Sequence, residues 1–580
     1  MASIGIDLGT SNTMVAYLSS KGEPEILQID NEKMIPSCIY IEEPAGYVLV
    51  GKLALDNWAD PDYNPANSFR GWKPAIGEEK VLRTLTIGGD TVPITPDYLT
   101  TCMVQYIVDK LTEGLGGRPV DSVLVTVPHG WRRENPQKCR ATRLAAAQAK
   151  IGDKNITVQQ LTISEPVAAA AYYMWDARKR GLSKELQNQT LLICDIGGGT
   201  FDLSLVKVGT EEKPLDVIDA VNNNTAGDYV DALLCAWVCR EFNDQFATDY
   251  PTSAEEVQNQ LEQVSMAHLR DWLLKIRAMK HKLSDRVLAL VRQKRTGAVR
   301  PVQEDFLDPS GHHLKISLGT SEFESLVEPF YSASRELIRE FLSKNRGQLP
   351  YAVLMAGGGS RMLGVQENIL EPALRQFYTQ QQVSEMLERT PVNWERSDES
   401  IALGAALIAN GVVSVQERLL NDIGIIATIS DLVAQNLNLP PREQQVLIVP
   451  ILAKGTPLPA VSSNAELGLQ TSISPGESLD LEIVVDDGSA SPWIQRWTVT
   501  HPAGGRRQSV DWEMSADMDG GLTLRLQPAQ GNSVQVIGQI TYTGRARLVI
   551  GENLRFAGGM VPRVTPEKLR EAIERLRGAT

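Results

Sequence analysis

Apolar and polar residues alternate at the start of the chain in a pattern that predicts a β-hairpin. The alternation covers residues 4–8, a turn containing glycine follows over 9–12, and the alternation resumes over 15–17. The same strand–turn–strand pattern returns over 191–208. Because repetition within a chain indicates related structural units, this recurrence predicts two similar lobes in the first part of the molecule.

Helical and strand-like segments alternate between and after these two hairpins, as far as about Val413. Periodicity predicts helices over 97–115, 140–150, 253–287, 321–344 and 397–410, and strands over 123–127 and 353–356. The polar segment 293–313 is predicted to be a loop or a weak hairpin. Such alternation of strands and helices is typical of an α/β domain, which we place at residues 1–413.

The pattern changes after Val413 and predicts a second domain of a different class. Short β-rich runs over 446–452, 479–485 and 534–542 are separated by turns that contain Pro, Gly and Asn. This spacing indicates an all-β module, which we place at residues 423–558.

Two short segments flank the predicted β module. Residues 414–422 are predicted to be an interdomain linker, and they contain the adjacent apolar residues Leu419 and Leu420. Pure spacers are usually polar, so this pair predicts a docking segment, with packing at the edge of a neighbouring domain as the alternative. In the tail, 559–580, Thr565 followed by Pro566 predicts the start of one short helix.

Composition narrows the class of protein. The chain has 580 residues, of which 42% are hydrophobic, and a formal net charge of −14. An acidic chain is a poor match for nucleic acid, whose phosphates require basic surfaces. Six scattered cysteines suggest no disulfide framework. With no signal-peptide pattern and no apolar run of about 20 residues, we expect a cytoplasmic protein that does not bind membranes.

Two turns carry residues suited to phosphate and metal. In the first, Gly9 permits close approach of the backbone to a phosphate, and Asp7 is suited to hold Mg²⁺ through water. The second places three glycines between Asp195 and Asp202, whose carboxylates suit a cation or an attacking water. Consecutive glycines weaken a sheet, so close approach to a polyphosphate gives a reason for them, with an ordinary flexible hairpin as the alternative.

Two further motifs follow strands. Gly357 and Gly358 precede Arg361, whose planar guanidinium suits stacking on adenine. Glu165 follows Ser164, a predicted N-cap, so its carboxylate lies where a helix dipole favours negative charge. Each motif alone also fits a common structural role, an α/β turn in one case and a helix cap in the other.

Taken together, the order and spacing of these motifs resemble the 70-kDa heat-shock protein family, within the superfamily of actin-like ATPases. The resemblance rests on GIDLGTSNTMVAY, TISEPVAAAAYY, CDIGGGTFDLSLV, MAGGGSRM and SDESIALGAA, and covers most of residues 1–413. It implies duplicated ribonuclease-H-like lobes, one at about 1–188 with 390–413 and the other at about 189–389. The β module resembles the family's peptide-binding sandwich more faintly.

The resemblance also implies a role for each matching residue. It assigns catalysis to Lys73, Glu165, Asp195 and Thr200, and the metal to Asp7, Asp195 and Asp202. It assigns the nucleotide to Gly9, Thr10, Ser11, Asn12, Gly197, Gly198, Gly199, Gly227, Lys280, Ser284, Gly357, Gly358, Arg361 and Asp398. The ligands implied are ATP, ADP and Mg²⁺, and a role for K⁺ stays open.

Three departures from the family pattern bear on nucleotide affinity. Arg277 occupies a position that is usually acidic, a glycine pair is reduced to Ala226-Gly227, and Ser321 replaces an arginine. The tail is also too short for the family's helical lid, so we expect the β module to bind peptide weakly and to release it fast.

The resemblance implies an ATP-dependent chaperone that controls the binding of unfolded, apolar peptide segments. It implies a monomer whose partners include a J-domain co-chaperone and a nucleotide-exchange factor. Three alternatives stay open on sequence grounds: an ATP-switched actin-like scaffold or filament, a sugar or acid kinase on the same fold, and an ATPase whose β module docks one partner. Fold alone does not decide among them.

Overall fold

A computed structural model describes residues 2–78, 80–114, 120–151, 154–159, 162–210, 213–261, 263–293, 297–389, 396–415, 417–429, 445–463, 471–473, 476–486, 493–500, 508–520, 522–528 and 539–547. The chain divides into two compact units. The N-terminal unit contains the residues up to Gly130 and Ala141–Val415, and the C-terminal unit contains Trp131–Arg140 and the described residues from 417 onward.

Mixed α/β structure fills the chain as far as residue 415. The strands are β1 Ala2–Leu8, β2 Asn12–Leu18, β3 Pro24–Ile26, β4 Ile35–Pro36, β5 Cys38–Ile41, β6 Val48–Val50, β7 Ser68–Arg70, β8 Arg83–Ile87, β9 Asp90–Ile94, β10 Val120–Val127, β11 Lys150–Ile151, β12 Lys154–Asn155, β13 Ile163–Ser164, β14 Thr190–Ile196, β15 Phe201–Thr210, β16 Lys213–Asn223, β17 Val302–Leu307, β18 His313–Leu318 and β19 Ala352–Ala356.

Helices connect and cover these strands. They are α1 Lys52–Ala59, α2 Pro96–Gly114, α3 His129–Glu134, α4 Pro136–Ala146, α5 Glu165–Lys179, α6 Ser183–Leu186, α7 Gly227–Phe246, α8 Ala254–Gln260, α9 Ala267–Arg292, α10 Thr320–Leu326, α11 Glu328–Lys344, α12 Glu371–Leu374, α13 Gln380–Glu388 and α14 Ser400–Ala409. Short 3₁₀ turns occur at Pro65–Asn67, Lys73–Ala75, Val264–Met266 and Gly358–Arg361, and a π-helical turn occurs at Val365–Leu370.

Two sheets organise the N-terminal unit, and each contains one of the predicted hairpins. The first sheet has the order β13-β10-β1-β2-β3, with β4 paired to β2, and the second has the order β16-β15-β14-β19. In the first, β1 runs antiparallel to β2 and parallel to β10. In the second, β14 runs antiparallel to β15 and parallel to β19. The two sheets therefore repeat one local arrangement, a hairpin with a parallel strand beside it.

Small residues allow two helices to pack closely within the core. Helices α5 and α14 are rich in alanine, and they bury it in a cluster that also receives residues of both sheets. A Cβ on Gly404 would lie only 1.7 Å from the carbonyl oxygen of Ala168, so this position requires glycine. A second, larger apolar cluster packs α7, α9 and α11 against the second sheet.

The C-terminal unit is β-rich in its described part. Its strands are β20 Asp422–Ile429, β21 Gln445–Leu452, β22 Ala460–Ser463, β23 Thr471–Ile473, β24 Ser478–Asp486, β25 Trp493–Thr500, β26 Gln508–Ala516, β27 Leu522–Pro528 and β28 Gln539–Arg547. One sheet has the order β21-β20-β24-β25-β28, and the other has the order β22-β26-β23 with β27 paired to β26.

Residues predicted to be a linker belong in part to this C-terminal unit. The amide of Leu419 donates to the carbonyl of Thr456 at 2.9 Å, and the amide of Leu458 donates to the carbonyl of Glu417 at 3.0 Å. Leu419 is 4% exposed. The predicted linker over 414–422 therefore needs correction, because the described residues from Glu417 onward are hydrogen-bonded within the β-rich unit.

Several other boundaries differ from the predictions. The helix predicted over 140–150 begins at Pro136 and ends at Ala146, and the one predicted over 253–287 is interrupted between Gln260 and Ala267. The segment 293–313 contains the first strand of a hairpin, β17 with β18. The predicted tail helix within 559–580 lies outside the described residues. No helix in the part of the chain that the structure describes is both long and apolar enough to cross a membrane.

Candidate active site

The two glycine-containing turns lie at equivalent ends of the two hairpins. In the first turn, the hydroxyl of Ser37 donates to the carbonyl of Gly9 at 2.8 Å. In the second, the amide of Gly197 donates to the carbonyl of Thr200 at 2.9 Å. A Cβ on Gly198 would lie 2.0 Å from the Ser11 hydroxyl oxygen, so a larger residue here would force one of the two turns to shift.

A buried ion pair joins the predicted catalytic lysine and glutamate. The Nζ of Lys73 donates to Oε1 of Glu165 at 2.6 Å, and both side chains are less than a tenth exposed. Lys73 lies in a 3₁₀ turn after β7, and Glu165 is the first residue of α5. Burial lowers the pKa of Lys73, but Glu165 and Asp7 outweigh burial and raise this pKa above its ordinary value.

Three further carboxylates surround this ion pair. Burial and the Glu165 charge raise the pKa of Asp7 to about 7, and the same two causes raise the pKa of Asp202 to about 6. The pKa of Asp195 also lies well above its ordinary value, because of burial and then of its carboxylate neighbours. We call Asp7, Lys73, Glu165, Asp195 and Asp202 the Lys73 cluster.

The charge of the Lys73 cluster fits a divalent cation. Four carboxylates face one lysine, and burial raises the pKa values of Asp7, Asp195 and Asp202 although Lys73 opposes this. In the described residues, no three His, Cys, Asp or Glu side chains converge closely enough to hold a metal ion directly. Mg²⁺ keeps several of its waters in proteins, so this donor set fits an ion held partly through water.

On the other side of the second turn lie the residues predicted to hold adenosine. Arg361 donates to Asp398 at 2.9 Å, and the hydroxyl of Ser284 accepts from the amide of Leu363 at 3.1 Å. Gly357 has a φ of 74°, and a Cβ there would lie 2.4 Å from Asp195. A Cβ on Gly358 would meet nothing within 4 Å, so this glycine faces open space.

A second group of charges lies beside these residues, and we call Asp228, Asp231, Arg277 and Lys280 the Arg277 cluster. Arg277 donates to Asp228 and to Asp231, each at 2.8 Å. Lys280 lies 2.6 Å from Asp231 and also donates to the carbonyl of Gly227 at 3.2 Å. Two cations therefore neutralise two carboxylates.

Sequence reasoning missed three of these polar residues. The hydroxyl of Thr126 donates to Asp7 at 3.2 Å. The parallel pairing of β1 with β10 sets Ile6 opposite Val125, so the residues that follow them, Asp7 and Thr126, lie close together. Asp228 and Asp231 are the others, and the only sequence signal for them is that both follow the predicted nucleotide glycine, Gly227.

Known proteins resemble this chain over most of its length. The family model described as Hsp70 protein matches residues 3–433. Chaperone protein DnaK of Thermotoga petrophila is 25% identical over 491 residues, which cover 84% of this chain and 70% of the relative. Chaperone protein DnaK of Thermus thermophilus is 25% identical over 477 residues, covering 76% of this chain and 68% of the relative.

A third relative, Chaperone protein dnaK3 of Synechococcus elongatus, is 27% identical over 447 residues, which cover 72% of this chain and 51% of the relative. The family match spans both glycine turns and every member of the two charge clusters. Since the match extends over well more than half of the sequence, the chain belongs to the Hsp70 family.

Proposed function

We propose that this protein is an ATP-dependent chaperone of the Hsp70 type, which hydrolyses ATP to ADP and phosphate to control the binding of unfolded, apolar peptide segments. The observation that carries the proposal is the Lys73 cluster. A buried ion pair, 2.6 Å long, faces three carboxylates, and the two glycine turns approach each other closely at Gly198 and Ser11. Membership of the family supports ATP hydrolysis as the reaction.

Each member of the cluster has a role that suits phosphoryl transfer, which depends on positioning and charge rather than on covalent catalysis. Lys73 offsets the charge that grows on the γ-phosphate. Glu165, Asp195 and Thr200 orient the attacking water, and Glu165 is held in place by its bond to Lys73. Asp7, Asp195 and Asp202 would hold Mg²⁺, partly through water, and the ion would supply charge neutralisation at the phosphate oxygens.

Nucleotide binding is shared between the two turns and the residues near α9. Thr10, Ser11 and the glycines of both turns bind phosphate through hydroxyl and amide groups. Lys280, Ser284, Arg361 and Asp398 form the adenosine pocket, and Oδ1 of Asp398 is buried without a hydrogen-bond partner in the described structure. A buried unpaired acceptor is costly, so a ligand donor at this atom would stabilise the complex.

At the level of architecture, we propose two actin-like lobes over residues 1–413, one built on each sheet. The matching arrangement of β1, β2 and β10 with that of β14, β15 and β19 supports this duplication. The β-rich unit would hold extended peptide through backbone hydrogen bonds and an apolar pocket. A J-domain protein and a nucleotide-exchange factor complete the proposed cycle in the cytoplasm.

The direct test is ATP hydrolysis by the full chain, with and without an extended apolar peptide and a J-domain protein. We expect slow Mg²⁺-dependent turnover that both additions accelerate, and sedimentation as a monomer with ATP. Hydrolysis that no apolar peptide changes, together with ATP-dependent sedimentation of large assemblies, would support the actin-like scaffold instead.

A second test concerns release of the bound peptide. The predicted tail helix lies outside the described residues, and the expectation to be tested is that the β module binds peptide weakly and releases it fast. We expect stopped-flow release of a labelled apolar peptide to be fast with either ATP or ADP bound to the full chain, because affinity differences lie mostly in the off-rate. Release that took many minutes with ADP would contradict this expectation.

A further inference from the structure

A chain of polar contacts joins the first phosphate turn to helix α9. The hydroxyl of Ser11 donates to Oδ2 of Asp228 at 2.7 Å. The other oxygen of this carboxylate accepts from Nη2 of Arg277 at 2.8 Å. Arg277 lies on α9 and Asp228 lies in the first turn of α7, so the residue predicted to bind phosphate is linked to Arg277 through one carboxylate.

Arg277 lies beside the phosphate turn. Together with Thr10, Ser11 and Asp228, it lines a cavity of about 240 Å³. In the described structure, none of the four predicted adenosine residues lines this cavity. These residues are Lys280, Ser284, Arg361 and Asp398. The guanidinium of Arg277 is therefore held beside the phosphate turn by Asp228 and Asp231.

Charge within the Arg277 cluster is balanced only while Arg277 is present. Asp231, which is 1% exposed, already pairs with Lys280 at 2.6 Å. Burial raises the pKa of Asp231, but Lys280 and Arg277 outweigh burial and hold this pKa below its ordinary value. Arg277 is then the cation that the described structure places against Asp228.

A serine hydroxyl has one proton to donate, so Ser11 cannot donate to Asp228 and to a phosphate oxygen at the same time. A phosphate oxygen that accepts this proton would lie roughly two hydrogen-bond lengths, about 5 Å, from the Asp228 carboxylate. Two anions at this distance repel each other strongly inside a protein unless a cation lies between or beside them.

We propose that Arg277 is a positioning residue that sets specificity for phosphate: it neutralises Asp228, so that Ser11 and its turn accept a nucleotide polyphosphate. This role rests on the proposed nucleotide site. It gives a function to Arg277, which occupies a position that is usually acidic in the family. Arg277 acts through Asp228, and its contribution grows with the number of phosphates on the ligand.

Titration calorimetry of the full chain with Mg·ADP and with adenosine tests this role. We expect Arg277→Ala to weaken ADP binding by roughly tenfold or more, because the Asp228 charge then repels the phosphates without compensation, and to leave adenosine affinity unchanged. Arg277→Ala combined with Asp228→Asn removes the repelling charge as well, and we expect ADP affinity to return to within about twofold of wild type.

Two controls keep the result interpretable. Lys275→Ala removes another cation of α9, one whose partner Asp271 is 2.9 Å away and half-exposed, and should leave ADP affinity unchanged. Arg277→Lys keeps the charge and should bind ADP nearly as well as wild type. Melting temperatures identify any variant that fails to fold, and in that case the Arg277→Lys and double variants carry the test.

The outcomes separate this inference from the proposed function. Equal losses of ADP and adenosine affinity in Arg277→Ala would overturn the inference and make Arg277 a base contact. An unchanged ADP affinity, or no recovery in the double variant, would also overturn it. Failure of the wild-type chain to bind Mg·ADP at all would instead overturn the proposed function itself.

Discussion

Two clusters of charge lie within the N-terminal unit, and they are built in opposite ways. The Lys73 cluster has four carboxylates and one cation, and the pKa values of Asp7 and Asp202 are raised to about 7 and about 6. The Arg277 cluster has two carboxylates and two cations, and the pKa of Asp231 is lowered although burial opposes this. One cluster has more carboxyl groups than cations, and the other has equal numbers of the two.

We interpret the Lys73 cluster as the proposed catalytic site and the Arg277 cluster as a network that stabilises the structure around it. Buried carboxylates that are not neutralised favour a bound cation, which is what phosphoryl transfer with Mg²⁺ requires. A balanced network stabilises one geometry, and removing one of its partners leaves a buried charge uncompensated. We therefore expect changes in the Lys73 cluster to alter catalysis, and changes in the Arg277 cluster to alter stability and nucleotide affinity.

The largest effect is expected at Thr200, whose hydroxyl we propose contacts the transferring phosphate. Thr200→Ala should lower the rate of ATP hydrolysis roughly 10²-fold, as for other lost transition-state contacts, with little change in stability. Single-turnover hydrolysis measures the rate. Thr84→Ala, an exposed threonine of β8, is the matched control and should hydrolyse ATP like wild type. A normal rate in Thr200→Ala would remove Thr200 from the site.

Gly198→Ala places a methyl group between the two turns. We expect it to weaken nucleotide binding by roughly tenfold or more, because it displaces Ser11, a residue proposed to bind phosphate. In Gly198→Ala, the new Cβ would lie 2.0 Å from the Ser11 hydroxyl oxygen and 2.5 Å from its Cβ, so the first turn must move. Calorimetry with Mg·ADP gives the affinity. Gly347→Ala, where a Cβ meets nothing within 4 Å, is the control. Equal affinities in the two variants would contradict the close approach of the turns.

Within the Arg277 cluster, Asp231→Asn should lower the free energy of unfolding by about 3 kcal/mol, because it leaves Lys280 and Arg277 with too little negative charge nearby. Urea denaturation followed by circular dichroism measures this loss. A loss below about 1 kcal/mol would show that the network relaxes without cost and is not the stabilising cluster we describe.

The smallest effect is expected on the exposed side of the same helix. Lys275 and Asp271 are 2.9 Å apart, but both are substantially exposed. Asp271→Asn should therefore change the free energy of unfolding by less than about 1 kcal/mol in the same denaturation experiment. A loss as large as that of Asp231→Asn would remove the distinction between buried and exposed pairs.

The sequence predicted the Lys73 cluster far better than the Arg277 cluster. The glycine turns follow alternating strands, so Asp7, Asp195 and Asp202 were identifiable from local pattern alone. Glu165 was identifiable as a helix-start residue, although the hydroxyl of the N-cap residue Ser164 makes no capping hydrogen bond. Lys73 depended on the family resemblance, because a lysine in a 3₁₀ turn has no periodic signal of its own.

Sequence reasoning singled out Arg277 and Lys280 but missed Asp228 and Asp231, because the contacts among these four residues join positions far apart in sequence. Arg277 meets Asp231 across 46 positions, and Ser11 meets Asp228 across 217. Hydrophobic periodicity reports which face of a helix is buried, but it does not report which charges meet there. The break at Val327 between α10 and α11 was also missed: it lies within a continuous amphipathic pattern, although Pro329 in the first turn of α11 marks a helix start.

Single-turnover hydrolysis by Lys73→Ala, measured beside its affinity for ATP, tests the central claim most directly. Lys73 is the one cation of the Lys73 cluster, and Lys52→Ala, an exposed lysine of α1, is its control. The account predicts that Lys73→Ala still binds ATP but hydrolyses it roughly 10²-fold more slowly, whereas the control matches wild type. Wild-type hydrolysis by Lys73→Ala with normal ATP binding would contradict the account.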